Sequence, residues 1–222
     1  MTADFDEHRH EPEGDDWQER WTFEAWDTDG TFGAVAAITL LPHSREAWYW
    51  AAVVRADHPL LTLVDTELRL PSTSLAIRGE GLWADHVCET PLEHWTVANE
   101  AFSVALDDPD EALGAQRGVL VPLGIDLEWE SAADPVEEPV GYSIDATVSG
   151  EILIADASLS IDATGRWRHE WGRLKWQEHP AHEPQGLRAP LRIDQHGRIP
   201  LLVERVVDEG GWHEWLRREP GP

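Results

Sequence analysis

The feature that most constrains the fold is an alternation of apolar and polar residues with a period of two. In "WQERWTFEA", residues 17–25, every second side chain falls on the same strand face, and Glu19 is the only charged residue on that otherwise apolar face. Short segments of this kind recur about every ten residues, separated by turn sequences such as "DTDG". No segment of helical length is amphipathic. The pattern therefore predicts an all-β, antiparallel barrel or sandwich with little helix.

Changes in composition predict where the 222-residue chain is divided. Residues 1–16 are charged, contain Pro and Gly and have few apolar side chains, which is typical of a disordered acidic tail. Residues 131–140 are small, acidic and rich in proline, which indicates a linker. We therefore expect a first β unit over 17–130 and a second, abbreviated β unit over 141–218.

The net charge of −26 restricts the partners of the chain. An acidic surface repels phosphate backbones and anionic lipid headgroups, so we expect neither nucleic acid nor membrane partners. The longest apolar run, "GAVAAITLL", is about half the ~20 residues that a membrane-spanning helix needs. We expect a cytoplasmic protein without stable membrane insertion, and a homodimer is compatible with the sequence.

The cysteine and histidine content predicts no metal and no cofactor. Cys88 is the only cysteine, which excludes an internal disulfide and a multi-cysteine zinc site. His8 and His10 lie in the segment expected to be disordered, where a solvated tail is favoured over weak binding of a metal ion. The stretch "HPAHE", residues 179–183, contains ligand-type side chains, but it contains a proline and lacks the helical H-E-x-x-H spacing of a zinc protease.

The stretch "DATGRWRHEWGRLKW", residues 162–176, concentrates aromatic and basic side chains. As a strand it places Trp167, His169 and Trp171 on one face, which we expect to point toward the core. The opposite face carries three charged residues that we expect to face solvent: Arg166, Arg168 and Glu170.

Two stretches resemble a known family. They are "GYSIDATVSGEILIADASLSIDATGRWRHEWGRLKW" and "ERWTFEAWDTDGTFGAVAAITLLPHSREAWYW", supported by "PLEHW". They resemble hydroxyneurosporene synthase-like (carotenoid 1,2-hydratase-like, AttH-related) proteins over about residues 17–176. In that family a Gly turn and a strand lead into a G-x-R-D-H-S-W-G-x-R-D-W signature, which residues 165–176 match in part.

The resemblance implies a lipocalin-like (calycin) architecture, two β units, and an apolar cavity for isoprenoid or other lipid-like molecules. His169 and Trp171 keep the family signature. Arg168 and Lys175 stand where the signature has acidic residues. The pocket is therefore better supported by the sequence than the reaction.

The candidate site combines a histidine, two acids and several indoles. His169 is the candidate acid, base or orienting group, with Asp85 or Glu93 as the proton donor for an alkene; indole faces stabilise a carbocation. The candidate ligand-binding residues are all tryptophans: Trp21, Trp48, Trp50, Trp83, Trp95, Trp167 and Trp171.

The leading functional hypothesis is binding of a hydrophobic small molecule, of isoprenoid, steroid or fatty-acyl type, in a Trp-lined β cavity. The first alternative is a lyase of the carotenoid 1,2-hydratase type, or an isomerase, acting on an isoprenoid-like double bond. The second is a non-catalytic interaction scaffold whose cavity is filled by its own tryptophans.

Overall fold

The computed structural model describes residues 5–177, 179–195 and 198–217. Within these ranges the secondary structure is β, apart from one 3₁₀ turn at Pro109–Leu113. The strands are β1 (Gln18–Trp26), β2 (Phe32–Leu41), β3 (Glu46–Arg55), β4 (Leu60–Arg69), β5 (Leu75–Gly79), β6 (Leu82–Thr90), β7 (His94–Leu106), β8 (Val119–Ser131), β9 (Val136–Glu138), β10 (Gly141–Ile154), β11 (Ala157–Gly172), β12 (Leu187–Arg188), β13 (Leu191–Ile193), β14 (Leu201–Asp208) and β15 (Gly211–Leu216).

The larger sheet closes on itself as an antiparallel barrel. Its strands follow the order β4-β3-β2-β1-β11-β10-β8-β7, and the ring closes where Leu60–Thr62 of β4 pairs with Val104–Leu106 of β7. The hairpin of β5 and β6 extends the sheet from β7, and β9 pairs with β10. The predicted all-β antiparallel class with little helix is confirmed.

Aromatic side chains pack the interior of this barrel. The alternation of β1 places Trp21 and Phe23 inside, where both are fully buried. The ring of Phe23 lies 5.1 Å from Trp95 and 5.4 Å from Trp129, centroid to centroid, in tilted and edge-on arrangements. Such contacts between large rings account for much of the apolar surface that the fold removes from water.

A second, four-stranded sheet of β12–β15 covers the outer face of β1, β2 and β3. Trp212 of β15 donates its indole N–H to the carbonyl of Ala25 on β1, at 3.1 Å. Gly33 of β2 lies under this sheet, where a Cβ atom would come within 2.7 Å of Val207. The approach of the two sheets therefore requires glycine at this position.

Strand pairing does not follow the two β units that were predicted from composition. β8 pairs with β10, and β11 pairs with β1, so the predicted units 17–130 and 141–218 share one sheet. The predicted linker, 131–140, contains β9 and connects two neighbouring strands of the barrel. The change from one sheet to the other falls after Gly172, and residue 218 lies outside the described residues.

The amino-terminal segment, residues 5–16, has no regular secondary structure but packs on the barrel. Phe5 lies edge-on to Tyr142, and the Tyr142 hydroxyl donates to the carbonyl of Asp6 at 2.9 Å. Arg9 donates to the carbonyl of Pro71 at 2.8 Å. The prediction of disorder is therefore wrong for residues 5–16, because single side chains anchor them; residues 1–4 lie outside the described residues.

The charged face of β11 also differs from the prediction. Arg166 is partly exposed and pairs with Asp145 at 2.8 Å, as expected of a solvated face. Arg168 and Glu170, however, lie between the barrel and the second sheet, and their side chains are 14% and 12% exposed. The pattern of one strand cannot show that another sheet covers this face.

Among the described residues, no helix has the length and apolar character needed to cross a membrane.

Candidate functional site

His169 is held at both ring nitrogens inside the barrel. It lies on β11 opposite Trp21 of β1, is fully buried, and stacks on the Trp21 indole with centroids 4.2 Å apart. Its Nδ1 lies 3.0 Å from the carbonyl oxygen of Asp6. Its Nε2 lies 3.0 Å from Oε1 of Glu19. Two contacts and a stacked ring therefore fix the orientation of the imidazole.

Glu19, the charged residue on the apolar face of β1, is the centre of the site. Its side chain is 2% exposed and receives the backbone N–H of His10 at 3.0 and 3.1 Å. Nδ1 of His10 lies 2.8 Å from Glu19 Oε1, and the His10 ring stacks on Trp171 at 4.0 Å. We call His10, Glu19 and His169 the histidine–glutamate cluster.

Glu7 adds a second buried carboxylate beside this cluster. The Trp167 indole N–H donates to Glu7 Oε1 at 3.1 Å. The other oxygen, Oε2, has no hydrogen-bond partner and lies 4.0 Å from Nδ1 of His169. Burial, together with the charge of Glu7, raises the pKa of Tyr142, which keeps that phenol protonated. The described part of the chain places no Arg or Lys within salt-bridge distance of Glu7 or Glu19.

The contacts of His169 determine which nitrogen carries a proton. A carbonyl oxygen only accepts hydrogen bonds, so Nδ1 donates to Asp6 and must be protonated. In the neutral ring Nε2 is then a lone pair, 3.0 Å from a carboxylate oxygen of Glu19. Two lone pairs repel at this distance, so a positive charge between them is required. Either a shared proton or a bound cation meets that requirement.

His86 is a second buried histidine, on the inner face of β6. It contacts the rings of Phe23 and Tyr49, and neither of its nitrogens has a hydrogen-bond partner. Burial lowers the pKa of His86 to about 3. Tyr49 is paired instead with Asn99, whose amide donates to the phenol oxygen at 2.7 Å. Burial therefore keeps the imidazole of His86 neutral.

The structure does not bring the two predicted proton donors to His169. Asp85 lies next to His86 on β6, so its side chain is on the opposite, outer face of the strand. Glu93 is exposed in the turn between β6 and β7. The acids that do lie beside His169 are Glu7 and Glu19, which is the main correction to the predicted site.

The seven predicted ligand-binding tryptophans do not line one cavity. Three of them, Trp21, Trp95 and Trp167, pack in the barrel interior, and Trp171 stacks on His10 at its edge. Trp48 and Trp50 lie on the outer face of β3 beneath the second sheet. Trp48 also borders a polar cavity of about 890 Å³ that contains Asp15, His43 and Arg173. Trp83 lies on the outer face of β6.

Trp83 borders an apolar groove on the outside of the barrel, across β6, β7, β8 and the turn after β10. The groove has a volume of about 560 Å³. Phe102 and Leu153 project beside it and are 55% and 47% exposed. Two glycines lie beneath these side chains: Phe102 packs over Gly81, and Leu153 packs over Gly124. Glu100 is the charged residue of this groove.

Sequence reasoning missed Glu7 as a site residue, and it considered His10 as a weak metal ligand but favoured a solvated tail. Glu7 joins the site through its hydrogen bond with Trp167, which lies 160 residues away in sequence. His10 joins it through its contact with Glu19. One signal was visible for Glu19, namely a charged residue on an apolar strand face. The "HPAHE" stretch contains only an exposed pair, His179 Nε2 to Glu183 Oε1 at 3.0 Å, and His8 is exposed.

Fold and site together define a closed antiparallel β barrel with a buried histidine–glutamate cluster and a covering second sheet. The chain belongs to the family described as "Domain of unknown function (DUF7064)", whose pattern matches residues 3–183. This match contains all three residues of the cluster and ends before the second sheet begins.

Solved structures and curated proteins add two observations. The chain is similar to the crystal structure of CghA, with 13% identity and a TM-score of 0.39, covering 90% of this chain and 59% of that one. It is similar to CghA with Sch210972, with 13% identity and a TM-score of 0.38, covering 92% and 61%. The chain thus spans about 60% of the length of these proteins. A search of curated proteins gave no significant match.

Proposed function

We propose that this protein binds a hydrophobic small molecule, of isoprenoid, steroid or fatty-acyl type, in the groove bordered by Trp83, Phe102 and Leu153. The observation that supports the proposal is the exposure of Phe102 and Leu153 beside a concave space of about 560 Å³. Pockets for small ligands span roughly 300–1,000 Å³ and are lined mainly by apolar and aromatic side chains.

The chemistry of the groove favours an uncharged or weakly polar ligand. Phe102 and Leu153 leave apolar surface in contact with water, and covering that surface is favourable at about 25 cal/mol per Å². Glu100 gives the groove one acidic group at its border, which repels carboxylate headgroups and accepts hydrogen bonds from hydroxyl groups. We therefore expect isoprenoid alcohols and sterols to bind more tightly than fatty acids.

The experiment measures binding of Nile red, an uncharged dye whose fluorescence rises in apolar surroundings, and its displacement by farnesol, cholesterol and oleate. Phe102→Glu places a second charge in the groove and should weaken dye and ligand binding at least tenfold. Val136→Glu is the matched control, because Val136 is equally exposed at 58% but lies on β9, outside the groove. Equal binding by wild type and both variants contradicts the proposal.

Hydration or isomerisation of an isoprenoid-like double bond, which the family resemblance implies, stays a prediction of that resemblance. Arg168 and Lys175 replace the acidic residues of the signature, and Asp85 and Glu93 lie away from His169. Binding in the groove is therefore the function that we base on the geometry.

A further inference from the structure

We propose that the histidine–glutamate cluster, His10, Glu19 and His169, is a binding site for a divalent transition-metal ion of the zinc type. The three side chains offer two imidazole nitrogens and one carboxylate oxygen, and these atoms all lie within 4.8 Å of one another. The site is separate from the apolar groove, and it does not depend on what the groove binds.

The ligand atoms lie close enough together to bind one ion after a small outward adjustment. Zinc is bound by imidazole nitrogen and carboxylate oxygen at about 2.0–2.2 Å, which places neighbouring ligand atoms of a tetrahedral site about 3.3–3.6 Å apart. Glu19 Oε1 lies 2.8 Å from Nδ1 of His10 and 3.0 Å from Nε2 of His169. The three groups come from the amino-terminal segment, β1 and β11, and the stacked rings of Trp171 and Trp21 hold the two imidazoles in place.

The orientation of His169 is that of a metal ligand. Histidines that bind metals usually donate their other ring N–H to a carboxylate or a backbone carbonyl, which fixes the tautomer. Nδ1 of His169 faces the carbonyl oxygen of Asp6 at 3.0 Å, and this leaves the lone pair of Nε2 directed at the cluster. Nε2 of His10 points toward the carboxylate of the same residue, 3.9 Å from Asp6 Oδ2. The carbonyl oxygen of Asp6 is thus the outer acceptor of His169, whereas its carboxylate is too far from His10 for a hydrogen bond.

The charge of the surroundings favours a cation. Glu7 and Glu19 are 8% and 1% exposed, and burying unpaired carboxylates is costly. The described residues place only histidines within salt-bridge distance of these two acids. A divalent ion at the cluster offsets both negative charges and replaces the repulsion between Nε2 of His169 and Glu19 Oε1 with two attractive contacts.

The donor set also indicates the class of metal. Magnesium and calcium prefer oxygen ligands, whereas two imidazoles and one carboxylate suit zinc and its first-row neighbours. Three protein ligands leave a coordination position for water, as in catalytic rather than structural zinc sites. The side chain of His10 is 23% exposed, so the ion can reach the cluster from that side.

The experiment uses the full chain after treatment with a chelator. Zinc chloride is titrated by calorimetry, and cobalt(II) is titrated in parallel because its visible absorption reports its ligands and their geometry. We expect one ion per chain, with absorption typical of nitrogen and oxygen ligands. His10→Ala and Glu19→Gln should each weaken the affinity at least tenfold, and His10→Ala, at the partly exposed position, keeps the test valid if Glu19→Gln fails to fold.

His179→Ala is the matched control, because the exposed His179–Glu183 pair is the competing surface site. Its affinity for zinc and cobalt should equal that of the wild type. Absence of binding by the wild type would mean that only a proton joins Glu19 and His169, which overturns the proposal. Equal binding by wild type and His10→Ala, or loss of binding in His179→Ala alone, also overturns it.

Discussion

The two faces of strands β1 and β11 bury charged side chains in opposite ways. Outside the barrel, beneath the second sheet, three arginines meet three glutamates: Arg20, Arg168 and Arg205 with Glu24, Glu170 and Glu214. Inside the barrel, the salt-bridge partners that the described residues give Glu7 and Glu19 are both histidines, His10 and His169. The carboxylates of the outer layer therefore pair with arginines, whereas the inner carboxylates pair with histidines.

The contacts of the outer layer explain how it tolerates burial. Arg20 pairs with Glu170 at 2.8 Å, and Arg168 pairs with Glu24. Burial raises the pKa of Glu214, but Arg20 and its neighbouring arginines outweigh this effect, and the pKa stays below its ordinary value. The outer layer thus balances arginines against glutamates and joins the two sheets, although Glu24 Oε2, Arg168 Nε and Arg205 Nη1 are buried without a hydrogen-bond partner. In the inner cluster, a shared proton or a bound cation supplies the positive charge between Glu19 and His169.

Removing one cation from the outer layer should have the largest effect on stability. Arg168 lies within salt-bridge distance of both Glu24 and Glu214, and Arg168→Met removes this shared partner. Breaking a buried ion pair by removing one partner costs about 3–5 kcal/mol. We expect a loss of that size in the free energy of unfolding, measured by urea denaturation at pH 7. A loss below about 1 kcal/mol would show that the layer is hydrated and not buried.

Replacing the unpaired interior histidine should change the response to acid. The pKa of His86 is about 3 when folded and near 6.5 when unfolded, so below pH 6.5 the unfolded chain binds a proton that the folded chain excludes. Stability is therefore lost as the pH falls below 6.5, by about 1.4 kcal/mol per pH unit. His86→Phe removes this contribution.

The measurement is the loss of unfolding free energy between pH 7 and pH 5 for wild type and His86→Phe. We expect the loss to be smaller in the variant by about 2 kcal/mol. Titration of the other groups is common to both chains and cancels in the difference. Equal losses would mean that His86 is already protonated, or hydrated, in the folded protein.

The smallest effect is expected where the same face of β11 reaches solvent. Arg166 pairs with Asp145 at 2.8 Å, but the two side chains are 34% and 55% exposed. Exposed ion pairs contribute roughly 0–1 kcal/mol. Arg166→Met should therefore lower the free energy of unfolding by less than about 1 kcal/mol in the same denaturation experiment. A loss as large as that of Arg168→Met would remove the distinction between the covered and open parts of this face.

Local patterns predicted an antiparallel barrel or sandwich and one residue of the cluster, His169. The alternation in residues 17–25 predicted which side chains of β1 face inward, and Glu19 was visible there as a charged exception. The alternation in β11 likewise placed His169 with Trp167 and Trp171. These predictions succeed because the two faces of a strand alternate in sequence, whatever the remainder of the fold does.

The rest of the site depends on contacts between distant segments. Composition alone predicted disorder for residues 1–16, because nothing local shows that the Trp167 indole donates a hydrogen bond to the carboxylate of Glu7. The face with Arg168 was expected in solvent, because the covering sheet is formed by β12–β15, later in the chain. Asp85 and Glu93 were chosen as acids by residue type, and strand direction and a turn place both away from His169.

The anchoring of residues 5–16 also has a consequence for the timing of biosynthesis. Trp167, the hydrogen-bond partner of Glu7, is synthesised 160 residues after it. At roughly 5–20 residues per second, this interval lasts about 10–30 s. During that time His10 and Glu7 have no partners on β11, so the histidine–glutamate cluster is completed only after β11 has been made and paired with β1.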